Sequence, residues 1–227
     1  MFYGSISQVN ASNLLADHRS AVATACRRLA AAGLVHGTAG NVSARDGEAV
    51  AITPTGAVLA DLEADQVAVV DLDGTQLDGP LAPTSELDLH LAVYRAFDTG
   101  AVVHTHAPNA TAVACVREDL PCIHYEMLLL GGAVRVAPYA TFATPELAAS
   151  AVAALEGKTA ALLANHGTVA HGADVAGAVA ATELLEWAAE LFLRASALGT
   201  PRVLSSAEQA AVIEVGMARQ YGTPRAV

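Results

Sequence analysis

Two histidines separated by one residue, His104 and His106, have the clearest potential for chemistry in this sequence. The apolar run at residues 101–103 precedes them and Pro108 follows, which predicts a strand that ends near the second histidine. Side chains of a strand alternate between the two faces of a sheet, so both imidazoles should lie on the same side. Two imidazoles at this spacing can bind one divalent metal ion, although a buried histidine is also often a hydrogen-bonded core residue.

A third histidine and a carboxylate extend this candidate set. His166 follows the apolar segment 159–164, which predicts a buried strand, and it precedes Gly167. Glu86 stands at the start of a predicted helix over residues 87–97, where Ser85 is a candidate N-cap and a carboxylate suits the helix dipole. Three histidines around an ion that keeps an open position form a catalytic zinc site, and a nearby glutamate can act as a base. His90, one turn after Glu86, is interpreted as a surface or structural histidine.

Loops of small residues could hold an anionic group beside such a site. Residues 37–43 read GTAGNVS, and residues 54–56 form a second turn after a strand predicted at residues 49–53. Backbone N–H groups in loops with little side-chain bulk can approach a phosphate closely. An ordinary turn between a helix and a hairpin is the alternative interpretation.

The composition predicts one globular domain over residues 1–227, with a tail over about 205–227 that we expect to be mobile. Hydrophobic residues make up 53% of the chain and charged residues 15%, which argues against disorder. The apolar content is mainly Ala, Val and Leu, which suits a chain that buries part of its surface against copies of itself. The formal net charge of −11 argues against nucleic-acid binding, so an anionic ligand must be held by local groups.

The cysteine pattern and the N-terminus indicate the compartment. Three cysteines without a Cys-x-x-Cys pair favour a reduced, intracellular protein. Residues 1–10 lack the basic and apolar regions of a signal peptide, and no apolar run reaches membrane-spanning length. We therefore expect a cytoplasmic protein without a membrane partner.

Apolar periodicity and turn residues predict alternating helices and strands. Further helices are predicted at residues 12–32, 110–117, 145–155, 175–198 and from about 205. Further strands are predicted at residues 67–71, 123–126 and 133–137. Thr144 is the candidate N-cap of the helix at residues 145–155.

Seven short blocks together resemble one known family. In chain order they read GTAGNVS (37–43), ITPTG (52–56), PTSE (83–86), VVHTH (102–106), IHY (123–125), APYATF (137–142) and NHG (165–167). Seven blocks in one order are much more specific than any single block. The chain resembles class II sugar-phosphate aldolases of the L-fuculose-1-phosphate aldolase family, within the superfamily that includes ribulose-phosphate 4-epimerases and the adducin head domain.

The resemblance implies a three-layer α/β/α sandwich with a largely antiparallel central sheet. It also implies a cyclic homotetramer with active sites between subunits. His104, His106 and His166 match the zinc ligands, and Glu86 matches the residue that is both a ligand and the catalytic acid and base.

The resemblance assigns the remaining site residues by position. The phosphate-holding positions are Gly40, Asn41, Thr55, Gly56, Thr84 and Ser85. Tyr125 matches a tyrosine that reaches a neighbouring subunit's site and handles a proton on the aldehyde side. Phe142 and the tail residue Tyr221 match aromatic positions on the aldehyde side.

The implied reaction is cleavage of a phosphorylated ketose, such as L-fuculose 1-phosphate, to dihydroxyacetone phosphate and an aldehyde such as L-lactaldehyde. Relatives on this scaffold cleave deoxy- or methylthio-ribulose 1-phosphate, and a dehydratase or decarboxylase is the main alternative. The 4-epimerase branch is expected to carry an Asp at the position of Glu86 and a His-Ala-Asp run near Tyr125, which this chain lacks. A non-catalytic, adducin-like interaction module could discard the metal ligands, whereas all four ligand-type residues are present here.

Overall fold

The computed structural model describes residues 15–219, and in this range six α-helices surround one nine-stranded sheet. The helices are α1 (Ala16–Ala31), α2 (Leu87–Ala96), α3 (Pro108–Ala114), α4 (Pro145–Leu155), α5 (Val175–Leu198) and α6 (Ser206–Arg219). The strands are β1 (Asn41–Asp46), β2 (Ala49–Ile52), β3 (Ala68–Asp71), β4 (Gln76–Asp78), β5 (Ala101–Thr105), β6 (Asp119–Leu120), β7 (Val134–Ala137), β8 (Ala160–Leu163) and β9 (Gly167–Gly172).

The sheet is largely antiparallel, as expected. Its strand order is β4-β3-β2-β1-β5-β9-β8-β7-β6, and β7 with β8 is the single parallel pair among the described strands. The strand that carries His104, β5, lies at the centre of the sheet between β1 and β9. A central strand is hydrogen-bonded on both edges, so its side chains have well-defined positions.

Two apolar cores, one on each face of the sheet, confirm the three-layer sandwich. Helices α1, α3 and α5 pack on one face, while α2 and α4 pack against each other on the other face. Along β5, Ala101 and Val103 belong to the first core and Val102 to the second. The alternation therefore places His104, two residues after Val102, on the side of α2 and α4.

Several predicted elements are confirmed and a few are corrected. The segment 123–126 is not a strand; Tyr125–Leu130 is a 3₁₀ helix whose first N–H groups are partly satisfied by the His124 side chain. Residues 41–46 form strand β1 rather than a loop, because β5 and β2 supply hydrogen-bonding edges on both sides. Strand β9, after His166, was not predicted from the sequence.

The helix ends compare with the sequence-based expectations as follows. The predicted helix at residues 110–117 begins earlier, at Pro108, which occupies the first turn where a missing N–H costs little. Thr144 is the N-cap of α4 as predicted, accepting a hydrogen bond from Leu147 N. Of the helix predicted at residues 12–32, the first residues lie outside the described range.

Two further observations concern the cysteines and membrane insertion. Cys26, Cys115 and Cys122 are all free thiols. Among residues 15–219, none of the helices combines the length and the apolar character that crossing a bilayer requires.

Candidate active site

The three histidines predicted as ligands come together at one end of the central strands. The ring centroids of His104, His106 and His166 lie 4.9–5.0 Å apart. One ligand nitrogen from each ring lies within 4.8 Å of the other two. His104 is fully buried, whereas the other two are partly exposed toward solvent. The cluster therefore has a closed inner side and an open outer side.

The backbone around His166 allows this convergence. Asn165 has a φ of 54°, a left-handed conformation that asparagine tolerates better than most residues. Gly167 then lies so close to β5 that a Cβ atom there would be 2.3 Å from Thr105 O and 3.0 Å from the His106 ring. Only glycine lets β9 approach β5 closely enough to bring the third imidazole to the other two.

A backbone contact decides which nitrogen of His104 faces the cluster. Its Nδ1 lies 2.8 Å from Thr168 O and must carry a proton to donate to that carbonyl. In a neutral ring Nε2 then presents a lone pair, and it lies 3.1 Å from both His106 Nε2 and Glu86 Oε2. A lone pair between these neighbours is well placed to bind a cation.

Glu86 closes the cluster from the α2 side. It occupies the N-cap position of α2 without making a side-chain cap, so the prediction that Ser85 is the N-cap is wrong. The hydroxyl of Thr84, two residues before Glu86, instead accepts a hydrogen bond from Glu86 N at 3.3 Å. The carboxylate is thereby left free to turn toward His104 and His166, at 3.1 and 3.4 Å from their Nε2 atoms.

The electrostatics favour the metal-binding protonation states of Glu86, His106 and His166. Burial alone would raise the pKa of Glu86, but its hydrogen bond to His104 and the charge of that residue outweigh burial and hold the pKa far below its usual range. Burial, together with the electrostatic effect of the neighbouring His104 and His166, lowers the pKa of His106 to about 4. Burial and His104 also lower the pKa of His166. An ionised carboxylate beside neutral imidazoles is the ligand form of this set.

The donor set fits a divalent metal ion. Glu86 Oε1 is buried and has no hydrogen-bond partner within the described part of the chain. Tetrahedral ligands with bonds of about 2.0–2.1 Å lie roughly 3.3 Å apart, close to the 3.1–3.4 Å spacings that Glu86 and His104 make here. His104, His106 and His166 could hold a metal, with Glu86 as a fourth ligand, because an ion between these atoms would satisfy both the lone pairs and the orphaned oxygen.

A cavity of about 250 Å³ opens over the cluster. It is lined by Ser85, Glu86, His106, Tyr139, Ala140, Phe142, Asn165 and His166. The predicted aldehyde-side residue Phe142 is therefore at the cavity, and it is 63% exposed. Tyr139 also lines the cavity. The sequence predicted no separate role for this residue, which belongs to the APYATF block.

The predicted phosphate loops lie side by side. Thr55 N donates to Ala82 O and Thr84 N donates to Thr53 O, each at 3.0 Å, so two separate turns are joined into one surface. Gly56 has a φ of 70° and open space around its Cα. This surface adjoins the N-terminus of α2, where the helix dipole favours an anion.

Asn41 and Gly40 occupy a different position from the other predicted phosphate residues. Asn41 is buried, and its amide contacts Glu86 Oε2 at 3.0 Å on one side and His90 on the other. A Cβ at Gly40 would lie 3.0 Å from His104 O, so this glycine lets β1 pack closely against β5. His90 is fully buried, which excludes the surface interpretation and supports the structural one.

Of the two predicted tyrosines, Tyr125 is not at this cavity and Tyr221 lies outside the described residues. Tyr125 lies on the 3₁₀ helix, is 40% exposed and faces a groove along α6. A role for Tyr125 in a neighbouring subunit's site stays a prediction.

Comparisons with known proteins agree with this geometry. Residues 20–193 match the family model described as Class II Aldolase and Adducin N-terminal domain. The chain is 39% identical over 198 residues to 5-methylthioribulose-1-phosphate/5-deoxyribulose-1-phosphate aldolase of Rhodospirillum rubrum, covering 86% of this chain and 89% of that protein. It is 38% identical over 192 residues to L-fuculose phosphate aldolase of Escherichia coli K12, covering 83% and 89%.

A solved structure of similar shape leads to the same assignment. An L-fuculose 1-phosphate aldolase superimposes with a TM-score of 0.85 at 36% identity, covering 88% of this chain and 96% of that one. The matched residues 20–193 include all four candidate metal ligands and both predicted phosphate loops. The protein is a member of the class II aldolase and adducin N-terminal domain family, and its named homologues are aldehyde-lyases.

Proposed function

We propose that this protein is a zinc-dependent aldolase that cleaves a ketose 1-phosphate to dihydroxyacetone phosphate and an aldehyde. The observation that carries the proposal is the convergence of three imidazoles on a buried carboxylate, one oxygen of which has no hydrogen-bond partner among residues 15–219, at the base of an open cavity. Such a site combines a set of metal ligands with a base that a substrate bound in the cavity could reach. An interaction module would have no use for either feature.

The residues have distinct tasks in this proposal. His104, His106 and His166 hold the ion, which when bound supplies a Lewis acid that polarises the substrate carbonyl. During cleavage the ionised carboxylate of Glu86 takes the proton of the C4 hydroxyl, the C3–C4 bond breaks and its electron pair passes to the C2–C3 unit. Glu86 then delivers this proton to C3, which completes dihydroxyacetone phosphate.

The phosphate is held by the joined loops around Thr55 and Thr84. Backbone N–H groups of Gly56 and Ser85, with the two threonine hydroxyls, offer donors to phosphate oxygens without any basic side chain. This arrangement suits a chain of net charge −11, whose overall field would repel the ligand. The side chain of Asn41 is already hydrogen-bonded to Glu86 and His90, so we assign its phosphate contact, with that of Gly40, to the backbone.

The aldehyde half of the substrate has two candidates. Relatives named for 5-deoxyribulose 1-phosphate chemistry are 35–39% identical, and those named for L-fuculose phosphate are 37–39% identical. The substrates in both sets of names are sugar phosphates, and they differ in the carbon chain that becomes the aldehyde. We therefore propose L-fuculose 1-phosphate and 5-deoxyribulose 1-phosphate as the first two substrates to test.

A homotetramer with sites between subunits is the assembly that we propose. Apolar side chains are exposed near Tyr125, on the 3₁₀ helix at Leu129 and on α6 at Val215 and Met217. A neighbouring subunit that covers them would also bring Tyr125 to its site, with Tyr221 as a second aromatic on the aldehyde side. Light scattering after gel filtration tests the tetramer, and a stable monomer would contradict it. The cytoplasm is the proposed compartment.

A coupled assay for dihydroxyacetone phosphate tests the activity. The purified protein is given each ketose 1-phosphate with and without a chelator, and the metal content is measured in parallel. Release that the chelator abolishes and zinc restores is the expected result. Metal-replete protein that releases no dihydroxyacetone phosphate from either substrate would contradict the aldolase proposal.

A further inference from the structure

A chain of buried polar groups runs from Glu86 into the interior between β1 and α2. Asn41, Ser43, His90 and Tyr94 form it, and each is at most 3% exposed. Polar side chains buried this deeply are costly unless they are fully hydrogen-bonded. The roles assigned above to the metal ligands and the phosphate loops do not explain why His90 and its two hydroxyl neighbours are there.

The hydrogen bonds connect without a gap. Asn41 Nδ2 lies 3.0 Å from Glu86 Oε2, and Asn41 Oδ1 contacts His90 Nε2. His90 Nδ1 lies 2.7 Å from Ser43 Oγ, which lies 2.7 Å from the Tyr94 hydroxyl. The histidine is thus linked to the carboxylate through a single asparagine side chain.

The ionised carboxylate fixes the direction of every bond in this chain. A carboxylate only accepts, so Asn41 must present its NH₂ group to Glu86 and its carbonyl oxygen to His90. That oxygen needs a donor, so the proton of the imidazole must lie on Nε2. His90 Nδ1 then accepts from the Ser43 hydroxyl, and Ser43 accepts from Tyr94.

The imidazole is held in the neutral state that this pattern requires. Burial, assisted by the electrostatic effect of the nearby His104, lowers the pKa of His90 to about 3 although Glu86 opposes the shift. A neutral ring has one N–H, and the opposite tautomer would leave two lone pairs facing each other at Asn41. Turning the amide over would relieve that clash, but it would place its oxygen against the carboxylate of Glu86.

The consequence is that the two oxygens of Glu86 differ. Oε2 is held by Asn41 and lies 3.1 Å from His104 Nε2, whereas Oε1 lies 3.4 Å from His166 Nε2 and has no hydrogen-bond partner within the described residues. With one oxygen fixed, the carboxylate has little freedom to rotate. The other oxygen, Oε1, is therefore the one left available at the base of the cavity, where a proton must be exchanged.

We propose that His90 is a positioning residue, which acts through Asn41 to orient the Glu86 carboxylate so that Oε1 carries the proton. The proton-transfer part rests on the proposed aldolase function, whereas the tautomer and the orientation do not. In this scheme Ser43 and Tyr94 stabilise the Nε2–H tautomer through hydrogen bonds on the Nδ1 side of the ring.

Substitutions at His90 separate positioning from simple packing. His90→Leu removes the donor to Asn41, whereas His90→Gln can place an amide N–H near the position of Nε2. We expect His90→Leu to lower kcat 10- to 100-fold with KM and metal content nearly unchanged, as for other groups that orient a metal-site residue. His90→Gln should recover most of this loss.

His171→Leu is the matched control. This histidine is also hydrogen-bonded through both ring nitrogens, to Thr99 Oγ1 and Lys158 O, but at the far end of β9 from His104. Its loss should leave kcat unchanged. A fall in kcat at His90 that follows thermal stability and is not restored by glutamine would show packing alone and overturn the proposal.

A second measurement does not depend on activity. Nitrogen-15 NMR of histidine-labelled full-length protein, with the His90 signals assigned through His90→Gln, should show a neutral Nε2–H ring throughout pH 5.5–8.5. Ser43→Ala, a milder change if His90→Leu fails to fold, should give a mixture of tautomers and a several-fold lower kcat. An Nδ1–H ring in the parent protein would overturn the proposal even if the aldolase activity is present. An Nε2–H ring in a protein without aldolase activity would support the orientation and refute only the proposed reaction.

Discussion

The inner and outer halves of the candidate site differ sharply in how they are held. On the inner side, His104, Glu86 and Asn41 are at most 7% exposed, and hydrogen bonds fix all three. On the outer side, Tyr139 and Phe142 are 66% and 63% exposed at the mouth of the cavity. In the proposed reaction the fold itself therefore determines the metal and proton chemistry, whereas recognition of the aldehyde would depend on a few exposed side chains.

This difference explains how related enzymes can share a reaction and differ in substrate. The curated relatives at 35–39% identity are all named aldolases, but their names divide between two kinds of sugar phosphate. A change at the exposed rim alters contacts with the departing aldehyde at little cost in stability. A change in the buried half disturbs several hydrogen-bonded groups at once.

Removing the charge of Glu86 should produce the largest effect. In Glu86→Gln the three histidines remain to hold the metal, but the group that exchanges a proton with C3 is lost. We expect kcat to fall about 10²- to 10⁴-fold, the usual contribution of a general acid or base, with metal content retained. Steady-state kinetics with metal analysis measures both quantities.

Glu183→Gln is the control for this change. Glu183 pairs with Arg28 at 2.7 Å on the surface and has no contact with the site, so its loss should leave kcat unaltered. If Glu86→Gln cleaves substrate at the parent rate, the assignment of the base is wrong.

The close packing of β9 on β5 gives the next largest effect. In Gly167→Ala the new methyl group would meet Thr105 O and the His106 ring, so the strands must separate or the imidazole must move. We expect metal affinity to fall at least about 10-fold, as for other losses of support around a metal site, together with reduced stability. Competition with a metallochromic chelator measures the affinity.

Gly177→Ala provides the comparison, because a Cβ there would meet Asp174 Oδ1 at an ordinary 3.4 Å within α5. It should leave metal binding intact. Equal metal affinity in Gly167→Ala and the parent would show that the inner half tolerates displacement, which would remove the distinction between the two halves.

Acidification should destabilise the metal-free protein through the same buried histidines. The pKa of His106 is lowered to about 4 and that of His90 to about 3, whereas a histidine in the unfolded chain titrates near 6.5. Between these pH values the unfolded chain binds protons that the folded chain excludes, so the free energy of unfolding falls as the pH drops below about 6.5. Urea unfolding in the presence of a chelator at pH 7.5, 6 and 5 measures it.

A shallower pH dependence is expected in His106→Gln, which removes one of these titrating groups. Stability that stays constant or rises on acidification would mean that the histidines are protonated in the folded state. The assumption that His106 and His90 are neutral in the folded protein would then be wrong.

The sequence predicted the parts of the site that depend on local periodicity. His104 and His106 lie on one side because a strand alternates, and an apolar run identifies that strand without knowledge of its neighbours. Helix α5 was predicted with its observed ends for the same reason. The convergence of His166 and Glu86 depends on pairing between distant strands, and the resemblance to a family supplied it instead.

The features that the sequence did not predict depend on tertiary contacts or on local backbone bonding. His90 has no partner nearby in the sequence, since Asn41 and Ser43 come from a strand more than 45 residues away, at separations of 49 and 47. Strand β1 is rich in small polar residues and becomes a strand because two neighbours offer it hydrogen bonds. The predicted strand at Tyr125 failed because residues 125–130 satisfy their backbone groups locally in a 3₁₀ helix.

The smallest effect is expected at the outer rim. Phe142→Ala removes an apolar wall that is already mostly exposed, so we expect kcat/KM to fall only about 3- to 10-fold, within the range for a partial loss of apolar contact. The loss should be larger for a substrate whose aldehyde carries an apolar end than for one that ends in a hydroxyl group. Kinetics with both ketose 1-phosphates measure this ratio, and Leu198→Ala, at a position 92% exposed at the end of α5, should leave it unchanged.

The pattern of the losses across substrates decides what this residue does. A loss that differs between the two substrates would place specificity at the rim and chemistry in the buried half. An equal loss of kcat for both substrates, with KM unchanged, would show that Phe142 supports the chemical step itself. The boundary between the two halves of the site would then lie further out, at the mouth of the cavity.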